Sequence, residues 1–299
     1  MNQYKDIMNV AVVNFKVDGG KKENNRKRIS EFSAASAKRG ADLVLFPELS
    51  LTGYDYFIDD NNSIEDKRAM AETLDGPSCK IIAETAKEYG IYIVFGMPEK
   101  VDGNDEKVYN SAVAIGPNGV IGSYKKIHPF DAENKFFTKG DTPFMFETEW
   151  GDISIGICYD TFQFPELMRH CVAKGSRLYL NPTAVVEEIP KEGSRQAFID
   201  YYAPTLEYGV LSNTIFIASA NLVGYDEKNF FGGGSVVIGP KVTPFFETNV
   251  HYYAGNKDNF QEEVIITTID LSLAKRRLMD TSGAAGEPDY RPDVYRTFE

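Results

Sequence analysis

Thiol and imidazole side chains are scarce in this 299-residue sequence, which contains only three cysteines and three histidines. The cysteines are Cys79, Cys158 and Cys171, and their spacing matches no zinc-binding pattern. An odd, low count argues against a disulfide framework and favours free thiols in a reducing compartment. We therefore expect a cytoplasmic location and no metal site, and Cys–His or Ser–His catalysis has few histidines to draw on.

Long apolar runs are also absent, since no stretch of about 18 apolar residues could span a membrane. The N-terminus, MNQYKDIMNVAVVNF, lacks the basic head, apolar body and small-residue cleavage site of a signal peptide. The formal net charge of −12 disfavours nucleic acid and anionic lipid as partners. No linker, low-complexity tract or internal repeat interrupts the chain, so we expect one domain over residues 1–299.

Strand-like and helix-like patterns alternate along the chain. Buried strands are indicated by NVAVVNF, ADLVLFPE, IYIVFGMPE, DISIGICYD and SRLYLNP, and helices by ENNRKRISEFSAASAKRG, GPSCKIIAETAKEYG and FPELMRHCVAKG. The stretch SAVAIGPNGVIGSYKKI predicts a hairpin that turns at Pro-Asn-Gly. Together these patterns predict α/β layers with mixed sheets, whereas the polar segment DYFIDDNNSIEDK is interpreted as a surface loop near the mouth of a pocket.

Reactive side chains stand at several predicted strand ends, where ligands bind in layered α/β folds. One strand ends at Glu48, the hairpin carries Lys125 and Lys126, and another strand ends at Cys158. A thiol is a weak nucleophile until a base or a positive charge favours the thiolate. Glu48 could take the thiol proton if burial raised its pKa, and a lysine could stabilise both the thiolate and an oxyanion. The backbone N–H of Tyr159 would be a second oxyanion donor.

Each of these residues also has a structural interpretation. A cysteine at the end of an apolar strand is usually a core residue, and a glutamate after Phe-Pro is usually a loop charge. Lysines on a hairpin are usually solvated, and neighbours on a strand face opposite sides, so one of the two lysines is expected in solvent. Composition and spacing leave the catalytic and the structural interpretations open. Tyr54, before the acidic segment, and Asn181, at the end of strand RLYL, are further candidates for substrate contact.

Three segments of the sequence resemble the signature blocks of the carbon–nitrogen hydrolase (nitrilase) superfamily: LVLFPELSLTGY, GSYKKIHPFDAENKFFTKGD and GICYDTFQFPELMR. They occur in the family's order and at its usual spacing. Further similarity in FGMPE, VYNSAVAIGPNGVIG, NPTA, NTIFIASANLVG and FGGGSVVIGP extends the resemblance over nearly the whole chain. The resemblance implies a four-layer α-β-β-α sandwich, commonly paired through helices as a homodimer or higher oligomer, and no cofactor.

The resemblance also implies a Glu–Lys–Cys triad. Glu48 matches the general base, Cys158 the nucleophile, and Lys126 the lysine of the family's tyrosine–any–lysine pattern. Glu133 matches a second glutamate that would orient Lys126 or assist proton transfer. In the mechanism so implied, the cysteine attacks an amide carbonyl, ammonia or an amine leaves, and water hydrolyses the remaining thioester.

The activity that the resemblance favours is hydrolysis of a small linear amide or an N-carbamoyl compound. Cys-Tyr-Asp followed by Phe-Pro-Glu is more similar to the amidase and carbamoyl-amide branches than to true nitrilases, so nitrile hydrolysis is an alternative. A glutaminase that supplies ammonia to a synthetase is a second alternative, but it needs a separate partner because the chain lacks a Ser-Gly-Gly-x-Asp-Ser-type loop for ATP. A non-catalytic binding protein on this fold is disfavoured by the intact triad.

One departure from the family pattern lies in the segment GVLSN. Many relatives have an Arg-Ala-x-Glu-Asn motif here, and Ser212 occupies the position of its glutamate. This puts a substrate-side or structural contact in question and leaves the triad unaffected.

Overall fold

The computed structural model describes residues 4–101, 103–188, 191–241, 249–254, 261–276, 278–279, 281–282 and 286–295. In chain order the strands are β1 Ile7–Asn14, β2 Leu43–Leu45, β3 Tyr92–Val101, β4 Asn104–Gly116, β5 Gly119–Lys125, β6 Phe144–Thr148, β7 Gly151–Ile155, β8 Leu178–Thr183, β9 Val186–Glu187, β10 Phe216–Asn221, β11 Val223–Tyr225, β12 Phe230–Gly232, β13 Val236–Lys241, β14 Asn249–Ala254, β15 Glu263–Asp270, β16 Thr281–Ser282 and β17 Glu287–Pro288. The α-helices are α1 Lys22–Lys38, α2 Asp55–Ile58, α3 Ile64–Met70, α4 Pro77–Tyr89, α5 Tyr159–Gln163, α6 Pro165–Lys174, α7 Ser194–Asn213 and α8 Pro292–Tyr295. Asp131–Lys135 and Leu271–Leu273 form short 3₁₀ helices.

Two six-stranded sheets carry the fold. The first has the order β15-β1-β2-β3-β4-β5 and the second β14-β13-β10-β8-β7-β6. Parallel pairs join β1 to β2 and β2 to β3 in one sheet, and β7 to β8 and β8 to β10 in the other. The outer pairs are antiparallel. Both sheets have the same series of strand pairings, antiparallel, parallel, parallel, antiparallel and antiparallel, when the first is read from β15 and the second from β6. The prediction of mixed sheets is confirmed.

Side-chain alternation along the strands separates the layers. On β1, Val10 and Val12 share a buried cluster with Ile155 and other residues of the second sheet, whereas Ala11 and Val13 pack among residues of α1 and α4. The outer face of the second sheet packs against α6 and α7 through a third cluster. Each fully buried valine side chain contributes about 1.5–3 kcal/mol relative to exposure. This arrangement is the expected four-layer α-β-β-α sandwich.

Helix α4 illustrates why several helix bounds could be predicted closely. Pro77 occupies its first turn, where a missing N–H removes no helical hydrogen bond. Ile82 and Ala86 are buried one turn apart. Gly90 ends the helix with φ 65°, a left-handed conformation that glycine adopts without a side-chain clash. These local signals agree with one another, so the sequence pattern and the structure coincide.

The prediction that the acidic segment after Tyr54 is a surface loop is wrong in part, since this segment contains α2 and α3. Asp55 is fully buried, and its carboxylate accepts hydrogen bonds from the backbone N–H groups of Lys228 and Asn229, both at 2.7 Å. Its own N–H donates to Asp226 at 2.8 Å. Both helices are short, and their partners lie far away in the sequence, so periodicity alone gives little signal.

Helix α7 exposes apolar side chains along one face. Tyr208 is 64% exposed and Leu211 50% exposed, and Pro204 is exposed at the same helical spacing. The backbone of this helix also accepts a hydrogen bond at Ser212 O from Arg169 on α6, at 2.8 Å.

Within the described part of the chain, no helix combines the length and the apolar character needed to cross a membrane.

Candidate active site

The three predicted triad residues come together where strands of both sheets end. Glu48 follows β2 of the first sheet, Lys126 follows β5 of the same sheet, and Cys158 follows β7 of the second sheet. The carboxyl ends of parallel strands are the usual place for ligands in open α/β sheets. The edge of the two sheets where these strands end is therefore where this fold can hold a substrate against side chains from both sheets.

Glu48, Lys126 and Glu133 form one buried polar cluster. The Nζ atom of Lys126 donates to Glu48 Oε1 at 2.6 Å and to the two carboxylate oxygens of Glu133 at 2.8 and 3.0 Å. Asn110 on β4 joins them, since its Nδ2 donates to Glu48 Oε1 at 2.7 Å and to Glu133 Oε2 at 3.2 Å. Sequence reasoning missed Asn110, although it lies in the family-like block VYNSAVAIGPNGVIG.

Burial and charge act against each other in this cluster. Burial raises the pKa of Glu48 to about 7, because the opposing effect of Lys126 is smaller and Glu133 adds to the rise. Burial lowers the pKa of Lys126, but Glu133 and Glu48 raise it by more, so the ammonium stays charged. Buried ion pairs contribute little net stability because desolvation is costly. A cluster of this kind is better suited to proton transfer than to holding the fold together.

The two carboxylate oxygens of Glu48 differ in their contacts. Oε1 accepts hydrogen bonds from Lys126 and Asn110. Oε2 is buried and has no hydrogen-bond partner among the described atoms. Buried polar atoms are nearly always paired, so an orphaned carboxylate oxygen indicates a position where another group binds.

Space for Glu48 depends on Gly96 of β3. A Cβ atom at this position would lie 2.2 Å from the backbone nitrogen of Leu49, which no side chain can tolerate without a shift. Leu49 itself has φ 48°, an uncommon value for a residue other than glycine. The turn that carries Glu48 is thus pressed closely against the neighbouring strand.

Cys158 occupies a strained turn beyond its strand. Strand β7 ends at Ile155, so the prediction that the strand continues to Cys158 is wrong. The cysteine has φ 43° and ψ −105°, and its N–H donates to Pro182 O at 3.0 Å and to Asn181 Oδ1 at 3.1 Å. Strained conformations persist where surrounding contacts impose them, often at functional sites. Burial raises the pKa of the thiol to about 12. The charge of Glu48 adds to this rise, and the charge of Lys126 opposes it.

Asn181 supports the backbone of the cysteine through a hydrogen bond. Its Oδ1 accepts the Cys158 N–H, and its Nδ2 donates to Ser219 Oγ at 2.9 Å. The side chain is fully buried and does not line the cavity beside the thiol. Both ends of the Asn181 amide are engaged with the protein, and its contact with the substrate stays a prediction.

Asp160 ties the turn of the cysteine to the strand that leads to Lys126. Its buried carboxylate accepts hydrogen bonds from Tyr124 Oη at 2.8 Å and from the backbone N–H of His128 at 2.9 Å. The Nδ1 atom of His128 lies 2.8 Å from the same carboxylate, and the imidazole ring stacks on Phe164 with centroids 3.5 Å apart. Sequence reasoning missed this residue, and its only local signal is the aspartate of Cys-Tyr-Asp.

Tyr54 and Tyr159 flank the cluster. Tyr54 is 6% exposed, and its hydroxyl donates to Glu133 Oε1 at 2.7 Å. Tyr159 is the first residue of α5, where a helix leaves the backbone N–H without an intrahelical partner. Its ring packs edge-on against Phe130 and Phe164. Tyr54 and Tyr159 both line the cavity that Cys158 faces.

That cavity has a volume of about 450 Å³, which is the size of a small-molecule site. Its walls are mostly apolar and aromatic, and they consist of Tyr54, Ile58, Phe130, Asp131, Ala132, Cys158, Tyr159, Phe162, Ala184, Val185, Val186, Glu188, Tyr201 and Asn229. A cavity of similar size, about 480 Å³, lies between α6 and residues 288–295, remote from the thiol.

Among the residues that the structure describes, no three His, Cys, Asp or Glu side chains are grouped as metal ligands would be.

Comparison with known proteins identifies the family. The model of the carbon-nitrogen hydrolase family matches residues 9–277. The chain belongs to the carbon-nitrogen hydrolase family. This hydrolase is 32% identical over 258 residues to a probable nitrilase of Schizosaccharomyces pombe, with 85% of each chain covered. It is 28% identical over 275 residues to an omega-amidase of Xenopus laevis, with 88% of each chain covered.

A solved structure extends the comparison to the fold. A mutant of the amidase from Nesterenkonia sp. AN1 superposes with a TM-score of 0.74 at 22% identity, covering 100% of the hydrolase and 99% of that chain. In that amidase the acetamide moiety of fluoroacetamide is covalently added at the active site cysteine. The expected superfamily and the α/β fold are thus confirmed, and the chain is a carbon–nitrogen hydrolase.

Proposed function

We propose that this hydrolase cleaves the C–N bond of a small linear amide or N-carbamoyl compound through a thioester on Cys158. The observation that carries the proposal is the unpartnered Oε2 of Glu48, in a carboxyl whose pKa is raised to about 7. A general base works best when its pKa lies near the operating pH. Glu48 has that pKa, a free oxygen, and a charge that acts on the thiol of Cys158.

In the first half-reaction the sulfur of Cys158 attacks the amide carbon while its proton moves to Glu48 Oε2. The carbonyl electrons move onto oxygen, where the Lys126 ammonium and the Tyr159 N–H stabilise the negative charge. The carbonyl then re-forms, the C–N bond breaks, and the nitrogen takes the proton from Glu48 and leaves as ammonia or an amine. The acyl group remains on Cys158 as a thioester.

In the second half-reaction a water molecule gives a proton to Glu48 and attacks the thioester carbon. The C–S bond breaks, the acid leaves, and the sulfur regains its proton from Glu48. Glu133 and Asn110 contact Lys126 and Glu48, and Tyr54 donates to Glu133, so we assign all three to positioning, with Tyr54 also forming part of the cavity wall. Asn181 positions the backbone of the nucleophile.

Nitrile hydrolysis is a second candidate because one of the relatives at 32% identity is named a probable nitrilase. The same thiol could attack a nitrile carbon, so the site geometry alone does not separate the two substrates. A substrate panel separates them directly. Amides, ω-amides including glutamine, N-carbamoyl amines and nitriles should be compared by the rate of ammonia release.

The Cys158→Ala variant tests the thioester. We expect it to release no ammonia while its circular dichroism spectrum and melting temperature stay close to those of the unchanged enzyme. Cys171→Ala is the matched control, since Cys171 is a fully buried core residue on α6 whose loss costs only packing energy, about 1 kcal/mol. Mass spectrometry of enzyme quenched during turnover should find the acyl adduct on the peptide with Cys158. Full activity in Cys158→Ala would rule out the thiol mechanism.

We also propose that two copies of the hydrolase pair through the outer face of α7. The support is the exposed apolar row that includes Tyr208 and Leu211, because unpaired apolar faces of this kind are typical of interaction surfaces. Light scattering should give twice the mass of one chain, and the double variant Tyr208→Glu with Leu211→Glu should give the mass of one. A single domain over residues 1–299 and a cytoplasmic location are retained as proposals, supported by the shared core between the sheets and by three free cysteines.

A further inference from the structure

The charged residues in the wall of the Cys158 cavity have one sign. Asp131 and Glu188 line it, and its described lining includes no lysine or arginine. A substrate tail that carries a carboxylate would meet two like charges here and no cation to pair with. Like-charge contacts of this kind are a common means of rejecting a ligand.

Both carboxylates are attached to well-held backbone. Asp131 begins the short helix that carries Glu133, and Glu133 is fixed by Lys126 and Tyr54. Glu188 directly follows Glu187, which is buried and accepts a hydrogen bond from Arg195 Nη1 at 2.9 Å. The backbone at Asp131 is therefore held by contacts of the buried cluster, and the backbone at Glu188 adjoins a buried, hydrogen-bonded neighbour.

The two carboxylates differ in their neighbours. Within the described part of the chain, no cation forms an ion pair with Asp131, which is exposed in the cavity wall. Glu188 pairs with Lys191 at 2.6 Å, but both side chains are about 70% exposed, at 70% and 72%. An exposed ion pair is weak and exchanges readily with a competing ligand cation. Asp131 is thus free to bind a cation, and Glu188 is only loosely engaged.

The remaining walls favour a cation as well. Tyr54, Phe130, Tyr159, Phe162 and Tyr201 line the same cavity. Aromatic faces attract ammonium and guanidinium groups through their negative π-surface. The volume of about 450 Å³ also exceeds what a two- or three-carbon amide fills, so the cavity has room for an apolar spacer beyond the reacting group.

We propose that the substrate of this hydrolase is an amide with an apolar spacer and a positively charged group at its far end, bound by Asp131 and Glu188 among aromatic walls. This inference rests on the proposed amidase function and adds the charge of the substrate. It separates the hydrolase from enzymes that act on ω-amides with a free carboxylate.

Three amides of matched length test the proposal: 5-aminopentanamide, which is cationic, pentanamide, which is neutral, and glutaramate, which is anionic. The enzyme's kcat/KM for ammonia release should fall in that order, with the cationic amide about tenfold or more above the anionic one, since two carboxylates contribute. Raising the ionic strength from 0.05 to 0.5 M should narrow that ratio, because salt screens exposed charges.

Charge-neutral variants locate the effect. Asp131→Asn and Glu188→Gln should each lower kcat/KM for 5-aminopentanamide about two- to fivefold more than they lower kcat/KM for pentanamide. Lys191→Gln, which frees Glu188, should increase the preference for the cationic amide. Glu23→Gln is the matched control, since Glu23 is exposed on α1 and outside the cavity lining.

The outcomes separate the two proposals. If pentanamide is hydrolysed but glutaramate is as good a substrate as 5-aminopentanamide, the inferred substrate charge is wrong and the amidase function stands. Unchanged ratios in Asp131→Asn and Glu188→Gln would also overturn the inference. If neither these three amides nor the amides and N-carbamoyl amines of the substrate panel release ammonia, the proposed function fails and the inference fails with it.

Discussion

Replacing Asn110 with alanine should raise the pH below which the hydrolase loses activity. The Nδ2 group of Asn110 donates to Glu48 Oε1 at 2.7 Å and to Glu133 Oε2 at 3.2 Å. Hydrogen bonds to a carboxylate favour its ionised form and lower its pKa. In the proposed mechanism Glu48 accepts a proton as the base, so activity requires the ionised carboxyl and falls as the pH drops through its pKa of about 7.

The size of the shift follows from the strength of the lost hydrogen bond. A hydrogen bond to a charged group contributes about 1.5–3 kcal/mol, and one pKa unit corresponds to about 1.36 kcal/mol. Without Asn110 the pKa of Glu48 should therefore rise by about one to two units. At pH 7 the ionised fraction, and with it kcat/KM, should fall by about 5- to 50-fold.

The assay is kcat/KM for ammonia release between pH 5.5 and 10, with a neutral amide such as pentanamide so that the substrate does not titrate. Asn118→Ala is the matched control, because Asn118 is an exposed asparagine at the turn of the same hairpin. Melting curves at pH 8 would verify that both variants are folded. If Asn110→Ala loses activity in acid at the same pH as the unchanged enzyme, Glu48 is not the base whose protonation causes the loss of activity at low pH.

Three further substitutions test how the site is built. Lys126→Met should abolish ammonia release and lower the free energy of unfolding in urea by about 3–5 kcal/mol, since two buried carboxylates lose their cation; Lys125→Met should keep the activity. Asp160→Asn should lower kcat at least tenfold with little change in KM, because the turn of the nucleophile loses charged hydrogen bonds. Gly96→Ala should lower both kcat/KM and the free energy of unfolding, the latter by about 1–3 kcal/mol, because the new methyl group displaces the Glu48 turn.

The mixed α/β layers were predictable because the patterns of strands and helices are local signals. The four-layer sandwich and the triad were implied by the resemblance to the carbon–nitrogen hydrolase superfamily, and the catalytic roles of the triad stay a prediction. In the structure, alternation places Val10 in the buried cluster between the sheets and Ala11 in the cluster with α1 and α4. The identity of Lys126 over Lys125 follows from the same alternation together with the family pattern. In the structure Lys126 is fully buried, and Lys125 lies partly exposed beside Glu99 at 3.4 Å.

The supporting contacts were not predictable because they join distant segments. Asn110 is one polar residue in a strand, and nothing near it in sequence indicates that its amide meets Glu48, 62 residues away. Asn181 stands at a strand end, where an amide can face either a ligand or a neighbouring backbone. In the structure the Asn181 amide faces the backbone, because its Oδ1 atom accepts the N–H of Cys158 in the strained turn. Tertiary contacts of this kind decide between orientations that local patterns leave equal.

Burial also determines how the proton leaves the thiol. Burial raises the pKa of the Cys158 thiol well above that of the Glu48 carboxyl, so a separate transfer of the proton from sulfur to Glu48 is unfavourable. In the proposed mechanism the proton therefore moves as the C–S bond forms, when the sulfur no longer has to carry a full negative charge. On this path no free thiolate accumulates, and a neutral thiol is less prone to oxidation or alkylation. The cysteine therefore reacts only when a bound carbonyl carbon is in place for the sulfur to attack.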